Sequence, residues 1–181
     1  MSKWNTEIAW TEDSNYILRV TDAVFGQSKS SGKPMITLKY EVVAPETMLV
    51  AGEPVDIAGV SYGLTQYFVT KSIDEAGNVD LEKQKNIVKR LEDLYKAFEI
   101  SFDGFDPDNA NVEGFKNKTV YARLYNKQEE QCKAPTSEQL AKGQRKGDVM
   151  VNPVTKKPLM TNQPAIRDIY GLANVGGTPA M

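Results

Sequence analysis

Histidine is absent from this chain of 181 residues, and cysteine occurs only once, at Cys132. Without histidine there is no imidazole to act as a general base, to complete a catalytic triad or to bind a metal ion. A single cysteine cannot form a disulfide within the chain, and no histidine is present to activate it or to share a zinc ion with it. These absences favour a protein that is not an enzyme and that uses no metal or other cofactor.

Long apolar runs are also absent. No stretch approaches the length of a membrane span, and residues 1–5 contain no apolar core of a signal peptide. The chain lacks the phosphate-binding loop, the dinucleotide-binding glycine motif and the nucleophile elbow. We therefore expect a soluble, cytoplasmic protein that binds rather than catalyses.

The charge that is present is unevenly distributed. The formal net charge is −2, yet segment 116–157 carries ten basic residues and four acidic ones. This local excess can mark a basic binding surface on a soluble protein, although a solvated lysine-rich loop gives the same pattern. The length fits one domain with extensions, and a hydrophobic content of 40% is sufficient for a core.

Four segments show the period-2 alternation of half-buried strands. They are residues 16–25, 35–43, 62–70 and 118–125. Residues 44–56 contain two prolines and a glycine, which indicates an irregular connection. A fifth strand is expected at either Asp148–Val151 or Ala165–Tyr170, and the sequence does not decide between them.

The periodicity changes between the third and fourth of these strands. Ile87, Leu91, Leu94 and Phe98 are spaced four, three and four residues apart, which places them on one stripe of a helix. Asp80 is a good N-cap, so we predict a helix over residues 81–98. The resulting order β-β-β-α-β-β predicts a mostly β protein, a five-stranded barrel of the OB-fold type with one helix.

The predicted domain organisation has three parts. Residues 1–15 are an N-terminal extension, residues 16–170 form the OB-fold domain, and residues 171–181 form a flexible tail. Within the domain, residues 126–147 are a long, polar, basic arm between strands four and five. The aspartates of residues 101–111 do not have the spacing of an EF-hand calcium loop, so an acidic turn is predicted there.

The predicted binding face is on the fourth strand. Tyr121, Arg123 and Tyr125 share one side of that strand, with the two rings about 13 Å apart and the guanidinium between them. Such a face can stack unpaired bases and hold a phosphate. Tyr67 and Lys39, on the third and second strands, extend this platform if their faces point outward.

Basic loops are expected to flank this face and to neutralise phosphates. The residues that we predict in this role are Lys29, Lys33, Lys127, Lys142, Arg145 and Lys146. They lie in the first-to-second and fourth-to-fifth strand loops, which flank the binding face of an OB-fold. A competing interpretation is that the Tyr-Arg-Tyr face packs against another subunit, because tyrosine is enriched in strands for packing reasons alone.

Three runs in the first half of the chain resemble a group of small phage-encoded proteins. The runs are Tyr16–Val20, Lys29–Leu38 and Tyr40–Val43. Proteins of this group share a lysine- and serine-rich turn, ending Ser-Gly-x-Pro-Met, that leads into a strand. The resemblance covers roughly residues 16–125. It implies an OB-fold, single-stranded-DNA-binding-like protein that is encoded near replication and recombination genes and acts in the host cytoplasm.

The function predicted from these observations is sequence-tolerant binding of single-stranded DNA in phage replication or recombination. The expected partners are single-stranded DNA, further copies of the chain and phage replication or recombination proteins, without a membrane. The alternative is a protein–protein adaptor or a structural component of the virion that uses the same face for subunit contacts. The sequence leaves open the choice between DNA and RNA and the oligomeric state.

Overall fold

The computed structural model describes Trp10 and residues 15–171. The rest of the predicted N-terminal extension, and the predicted tail after Gly171, lie outside the described residues. The elements in chain order are β1 (Asn15–Gln27), β2 (Pro34–Ala44), β3 (Thr47–Val50), β4 (Glu53–Asp56), β5 (Thr65–Val69), α1 (Leu81–Ala97), β6 (Thr119–Glu130), α2 (Ser137–Ala141) and β7 (Met160–Tyr170). No helix in this part of the chain is long and apolar enough to cross a membrane.

Five strands form one antiparallel sheet in the order β5-β2-β1-β6-β7. The chain is therefore mostly β with one main helix, and within this sheet the predicted order of three strands, the helix and two strands is confirmed. The predicted alternation is confirmed as well, because every second residue of β2 is buried from Ile36 to Val42. Each of these side chains adds to the free energy of folding by leaving water for the common core.

A five-stranded barrel was predicted, and the sheet does not close among the described residues. Its edge strands are β5 and β7, and no ladder joins them among the described residues. The two edges approach each other at Gly63, just before β5, which faces the backbone carbonyl of Pro164 so closely that a Cβ atom would collide with it. Beyond this contact, a cavity of about 210 Å³ separates Phe68 from Ile169, and Leu94 of α1 lines it. The helix thus covers the gap that would otherwise expose the core.

Helix α1 begins and packs as its sequence predicts. The side chain of Asp80 accepts hydrogen bonds from the backbone N–H groups of Glu82 and Lys83, each at 3.1 Å, and so satisfies two donors of the first turn. The helix ends at Ala97, one residue earlier than predicted. Of the predicted apolar stripe, Leu91, Leu94 and Phe98 are buried, and Ile87 is partly buried against the core.

An aromatic cluster attaches the segment after α1 to the helix. Tyr95 makes edge-to-face contacts with Phe102, Phe105 and Phe115 at centroid distances of 5.1, 5.7 and 4.9 Å. Its hydroxyl donates to the carbonyl of Asn111 at 3.0 Å, and burial raises the pKa of Tyr95 to about 12. The predicted acidic turn lies in this segment. Among the described residues, no three side chains of the metal-binding types gather into a cluster.

The prediction of an irregular connection over residues 44–56 is wrong. This segment forms the β3–β4 hairpin, in which Ala51 and Gly52 have φ angles of 50° and 83°. A two-residue type I′ turn requires positive φ at both positions, and glycine supplies it readily. The hairpin covers one end of the core, where the hydroxyl of Tyr16 lies 3.8 Å from the sulfur of Met48.

The fifth strand of the sheet is β7, which contains the predicted alternative Ala165–Tyr170. The other alternative, Asp148–Val151, makes only isolated bridges. Strand β6 continues to Glu130, so the β6–β7 ladder extends well beyond the predicted strand end. The predicted arm of residues 126–147 is therefore divided between β6 and a longer connection. We refer to residues 131–159, which contain α2, as the β6–β7 connection.

Candidate functional site

The outward side of β2 and β5 is an exposed surface with one large aromatic ring. Because Leu38 and Phe68 point into the core, the residues next to them in the chain point outward. Tyr67 is 59% exposed and is paired with Thr37 of β2. We refer to the outward side of these two strands as the β2–β5 face.

A lysine without a carboxylate partner lies beside this ring. Lys39 is exposed on β2, two residues from Thr37, and it takes part in no ion pair with another described residue. The nearby carboxylate of Glu41 is engaged by Arg19 of β1. The positive charge of Lys39 is therefore available to a ligand on the β2–β5 face.

One end of the β2–β5 face is bordered by the turn between β1 and β2. The turn is ordered by backbone hydrogen bonds from Ser28 to the carbonyl of Lys33 and from Gly32 to the carbonyl of Ser28, both 2.8 Å. Lys29 and Lys33 extend from it, and neither forms an ion pair within the described part of the chain. Strand β2 begins at Pro34, three residues or about 10 Å from the row that contains Tyr67.

The β6–β7 connection borders the opposite end. Gly63, just before β5, contacts Pro164 of β7. The connection joins β7 at Met160, four residues or about 13 Å from Pro164 along the strand. The β2–β5 face therefore lies between the two loops that the sequence predicted to carry phosphate-binding residues.

Tyr121, Arg123 and Tyr125 lie together on the outward side of β6, and all three are half-buried. The guanidinium of Arg123 lies 5.7 Å from the ring centroid of Tyr170. That of Arg167 lies 5.5 Å from the ring centroid of Tyr125. The rings of Tyr125 and Tyr170 therefore already contact guanidinium groups of the same chain. Less of their surface is free to stack on a base than in the case of Tyr67.

The structure separates the two halves of the predicted platform. Tyr67 is in register with Val24 of β1 through Thr37, whereas Tyr121 is in register with Ile17. Seven residues separate those two β1 positions, a distance of about 20 Å along the strand. Tyr67 and Lys39 therefore form one surface, and the Tyr121 row forms another, with β1 between them.

Three of the four basic residues predicted as phosphate contacts in the β6–β7 region, Lys127, Lys142 and Lys146, are paired with carboxylates. Glu129 lies 3.2 Å from the ammonium of Lys127 and 3.4 Å from that of Lys146. Lys142 lies 3.2 Å from Glu138. Arg145 lines an open cleft that also contains Lys146 and Glu129. The local charge excess seen in the sequence is therefore weaker at this surface than the count of basic residues implied.

The pKa of Glu129 reflects these contacts. Partial burial alone would raise it, but the hydrogen bond from Lys127 and the positive charge of Lys146 outweigh that effect and hold the pKa below its usual value of 4.5. The carboxylate is thus ionised at neutral pH. It fixes one lysine of β6 and one of the connection.

Two partners of the Tyr121 row were missed by the sequence analysis. Tyr170 and Arg167 both lie on β7, the strand whose position the sequence left open. A register shift between Arg123 and Leu124 disturbs the regular pairing beside Arg167. Alternation alone could have placed Tyr170, but no sequence signal predicts the register shift.

No known protein family matches the chain, and a comparison with curated proteins finds no match either. The fold defines the class of the protein in structural terms alone. It is a mostly β protein with a five-stranded antiparallel sheet and one main helix across the gap between the edge strands β5 and β7.

Proposed function

We propose that this chain binds single-stranded DNA without strong sequence preference, and that the β2–β5 face is the binding surface. The resemblance in the first half of the chain supports a phage protein of replication or recombination as its setting, acting in the host cytoplasm. The proposal depends most on one observation, the exposed ring of Tyr67 among lysines that have no carboxylate partner in the described chain.

The strand arrangement supports an OB-fold as part of this proposal. Strands β1, β2 and β5 precede the helix and β6 and β7 follow it, with β6 next to β1. Strands β5 and β7 meet at Gly63 and Pro164 and then border one cavity, as the partly open barrel of an OB-fold would require. In that fold, oligonucleotides bind on strands two and three, which correspond here to β2 and β5.

The chemistry of the face favours unpaired bases. A tyrosine ring can stack on any base, because every base has a π-face, and a base is free to do so only when it is unstacked from a duplex. Lys29, Lys33 and Lys39 supply positive charges for the backbone phosphates. Asparagine and glutamine side chains recognise the edge of adenine. The strand partners of Tyr67 and Lys39 are instead Thr37 and Thr65, so these positions do not favour adenine.

A matched pair of variants tests which surface binds. We expect Tyr67→Ala to weaken binding to labelled oligothymidine by about 5- to 150-fold, since stacking contributes about 1–3 kcal/mol per base. Tyr67→Phe keeps the ring and should bind like the wild type. Tyr121→Ala, on the β6 surface, should change the affinity much less. Fluorescence anisotropy measures all three, and an unchanged affinity of Tyr67→Ala would overturn the assignment.

A subunit contact on the β6 surface is the second candidate function, as in an adaptor or a component of the virion. The observation in its favour is the row of half-buried Tyr121, Arg123 and Tyr125 side chains on the outward side of β6. Tyrosine and arginine are enriched in the contact surfaces between proteins. Well-defined oligomers without nucleic-acid binding, measured by light scattering, would favour this role.

A further inference from the structure

A short hairpin at the end of the β6–β7 connection presents an exposed apolar residue on an ordered turn. The backbone N–H of Asn152 donates to the carbonyl of Lys157 at 2.9 Å, and the N–H of Lys156 donates back to the carbonyl of Asn152 at 2.9 Å. The side chain of Asn152 accepts from the backbone of Val154 at 2.8 Å. Val154 is 86% exposed although its turn is well formed. We refer to residues 149–159 as the tip hairpin.

The tip hairpin is both apolar and basic. Val149, Met150 and Val151 are also exposed, at 38%, 36% and 48%. The segment contains no acidic residue, and its two lysines, Lys156 and Lys157, form no ion pair with another described residue. Exposed apolar side chains grouped in this way indicate an interaction surface. The two lysines indicate that the partner is acidic.

A groove of the opposite charge lies at the C-terminal end of α1. A cleft of about 590 Å³ is lined by the apolar side chains of Ala97, Ile100 and Phe102 and by three carboxylates against one ammonium group, those of Glu92, Glu99, Asp103 and Lys96. We refer to it as the acidic groove.

Several features give this groove a negative potential. Residues 92–113 carry seven acidic side chains and one lysine, Lys96. The carboxylates of Glu92, Glu99 and Asp103 form no ion pair with any residue that the structure describes. The dipole of α1 adds a partial negative charge at the C-terminal end of the helix, and this charge attracts lysine.

The two surfaces lie at opposite ends of β7. Gly171, directly after the strand, lines the acidic groove, whereas the tip hairpin joins the strand at Met160. A strand of this length spans about 33 Å, so the hairpin and the groove of one molecule lie at opposite ends of β7. Two different surfaces that fit each other across molecules make a head-to-tail contact, and such a contact repeats into a chain unless it closes into a ring.

We propose that copies of this protein assemble head to tail, with the tip hairpin of one molecule docked in the acidic groove of the next. Val154 enters the cleft between Ile100 and Phe102, and Lys156 and Lys157 meet the carboxylates on its rim. Both charge and apolar character are complementary, which gives the contact its direction and makes it sensitive to salt. The proposal does not depend on nucleic-acid binding, and its test contains no nucleic acid.

Sedimentation velocity of the whole chain at low and high salt tests the assembly. The wild type should gain average mass with rising concentration at low salt and lose it at high salt. The tip variant Lys156→Glu/Lys157→Glu and the groove variant Glu92→Lys/Glu99→Lys should each remain monomeric. A chain that carries all four substitutions restores the charge complementarity and should assemble again, which damage to the fold would not allow.

A control and two outcomes define the limits of the proposal. Lys85→Glu/Lys89→Glu changes the net charge by the same amount as the tip variant, on an exposed part of α1, and should assemble like the wild type. A wild type that is monomeric at every concentration would overturn the proposal. So would an assembly that survives the tip substitutions but is lost when residues 172–181 are removed, because the groove would then be occupied by the chain's own C-terminal segment.

Discussion

Gly63 shows how one residue determines the shape of the seam between β5 and β7. Its φ angle is 74°, in the left-handed region, and the backbone carbonyl of Pro164 occupies the space that a side chain would need. Glycine is favoured there for both reasons. The approach of the two edge strands, and with it the position of the β2–β5 face relative to β7, depends on this contact.

Substitution of Gly63 should destabilise the protein more than substitution of a glycine that is needed only for its positive φ angle. Gly59 has a φ angle of 84° and nothing within 4 Å of its missing Cβ, so Gly59→Ala should cost about 1–2 kcal/mol. Gly63→Ala carries the same backbone cost and adds a collision with main-chain atoms, typically about 1–3 kcal/mol more. Urea denaturation measures both, and equal destabilisation would mean that the seam contact is unimportant.

At this scale the sequence predicted the direction of side chains but not their neighbours. Alternation placed Tyr121, Arg123 and Tyr125 on one side of their strand, as the structure has them. It left open whether Tyr67 and Lys39 point outward, which they do. It could not tell that the two groups lie on separate surfaces, because that depends on pairing between strands distant in sequence. The ion pairs of Glu129 with Lys127 and Lys146 likewise depend on how the connection folds back.

Among the elements, the helix and the long strands were predictable and the short hairpin was not. The stripe of α1 and the alternation of β2 extend over enough residues to be unambiguous. Strands β3 and β4 have four residues each and are separated by Ala51 and Gly52, so turn signals dominated the pattern. The sequence left two short candidates for the fifth strand, and only pairing with β6 distinguishes them. Pro164 lies within β7, which is an edge strand, where proline is tolerated.

The β6–β7 connection is held to β6 partly by Glu129, which gives it a pH dependence. The folded-state pKa of Glu129 is lowered, so its contribution to stability is present above the unfolded-state value, near 4.5, and is lost as the pH falls through the folded-state value. The contribution should be below about 1 kcal/mol, because the paired lysines are exposed.

Comparison with Glu129→Gln isolates this contribution. At neutral pH the wild type should have the larger free energy of unfolding, and the difference should shrink toward zero as the pH falls below 4.5. Denaturant titrations at several pH values measure it. A difference that is the same at pH 7 and in acid would show that the amide removes a contact other than the charge pairs.

The whole molecule combines a small negative net charge with a local surface that suits a polyanion. The net charge is −2, yet carboxylates are concentrated after α1, at the opposite end of β7 from the β6–β7 connection. Lys29, Lys33 and Lys39 lie on and beside the β2–β5 face without carboxylate partners in the described chain. Binding to a phosphate backbone depends on such local charge rather than on the total.

The most direct test of the proposed function is an anisotropy titration of labelled oligothymidine and of a duplex of equal length at several salt concentrations. We expect the single strand to bind more tightly than the duplex. Three lysines that neutralise phosphates of a single strand give a slope of about −2 in a plot of log K against log salt concentration. Absence of binding, equal affinity for the duplex or an affinity that does not change with salt would contradict the proposal.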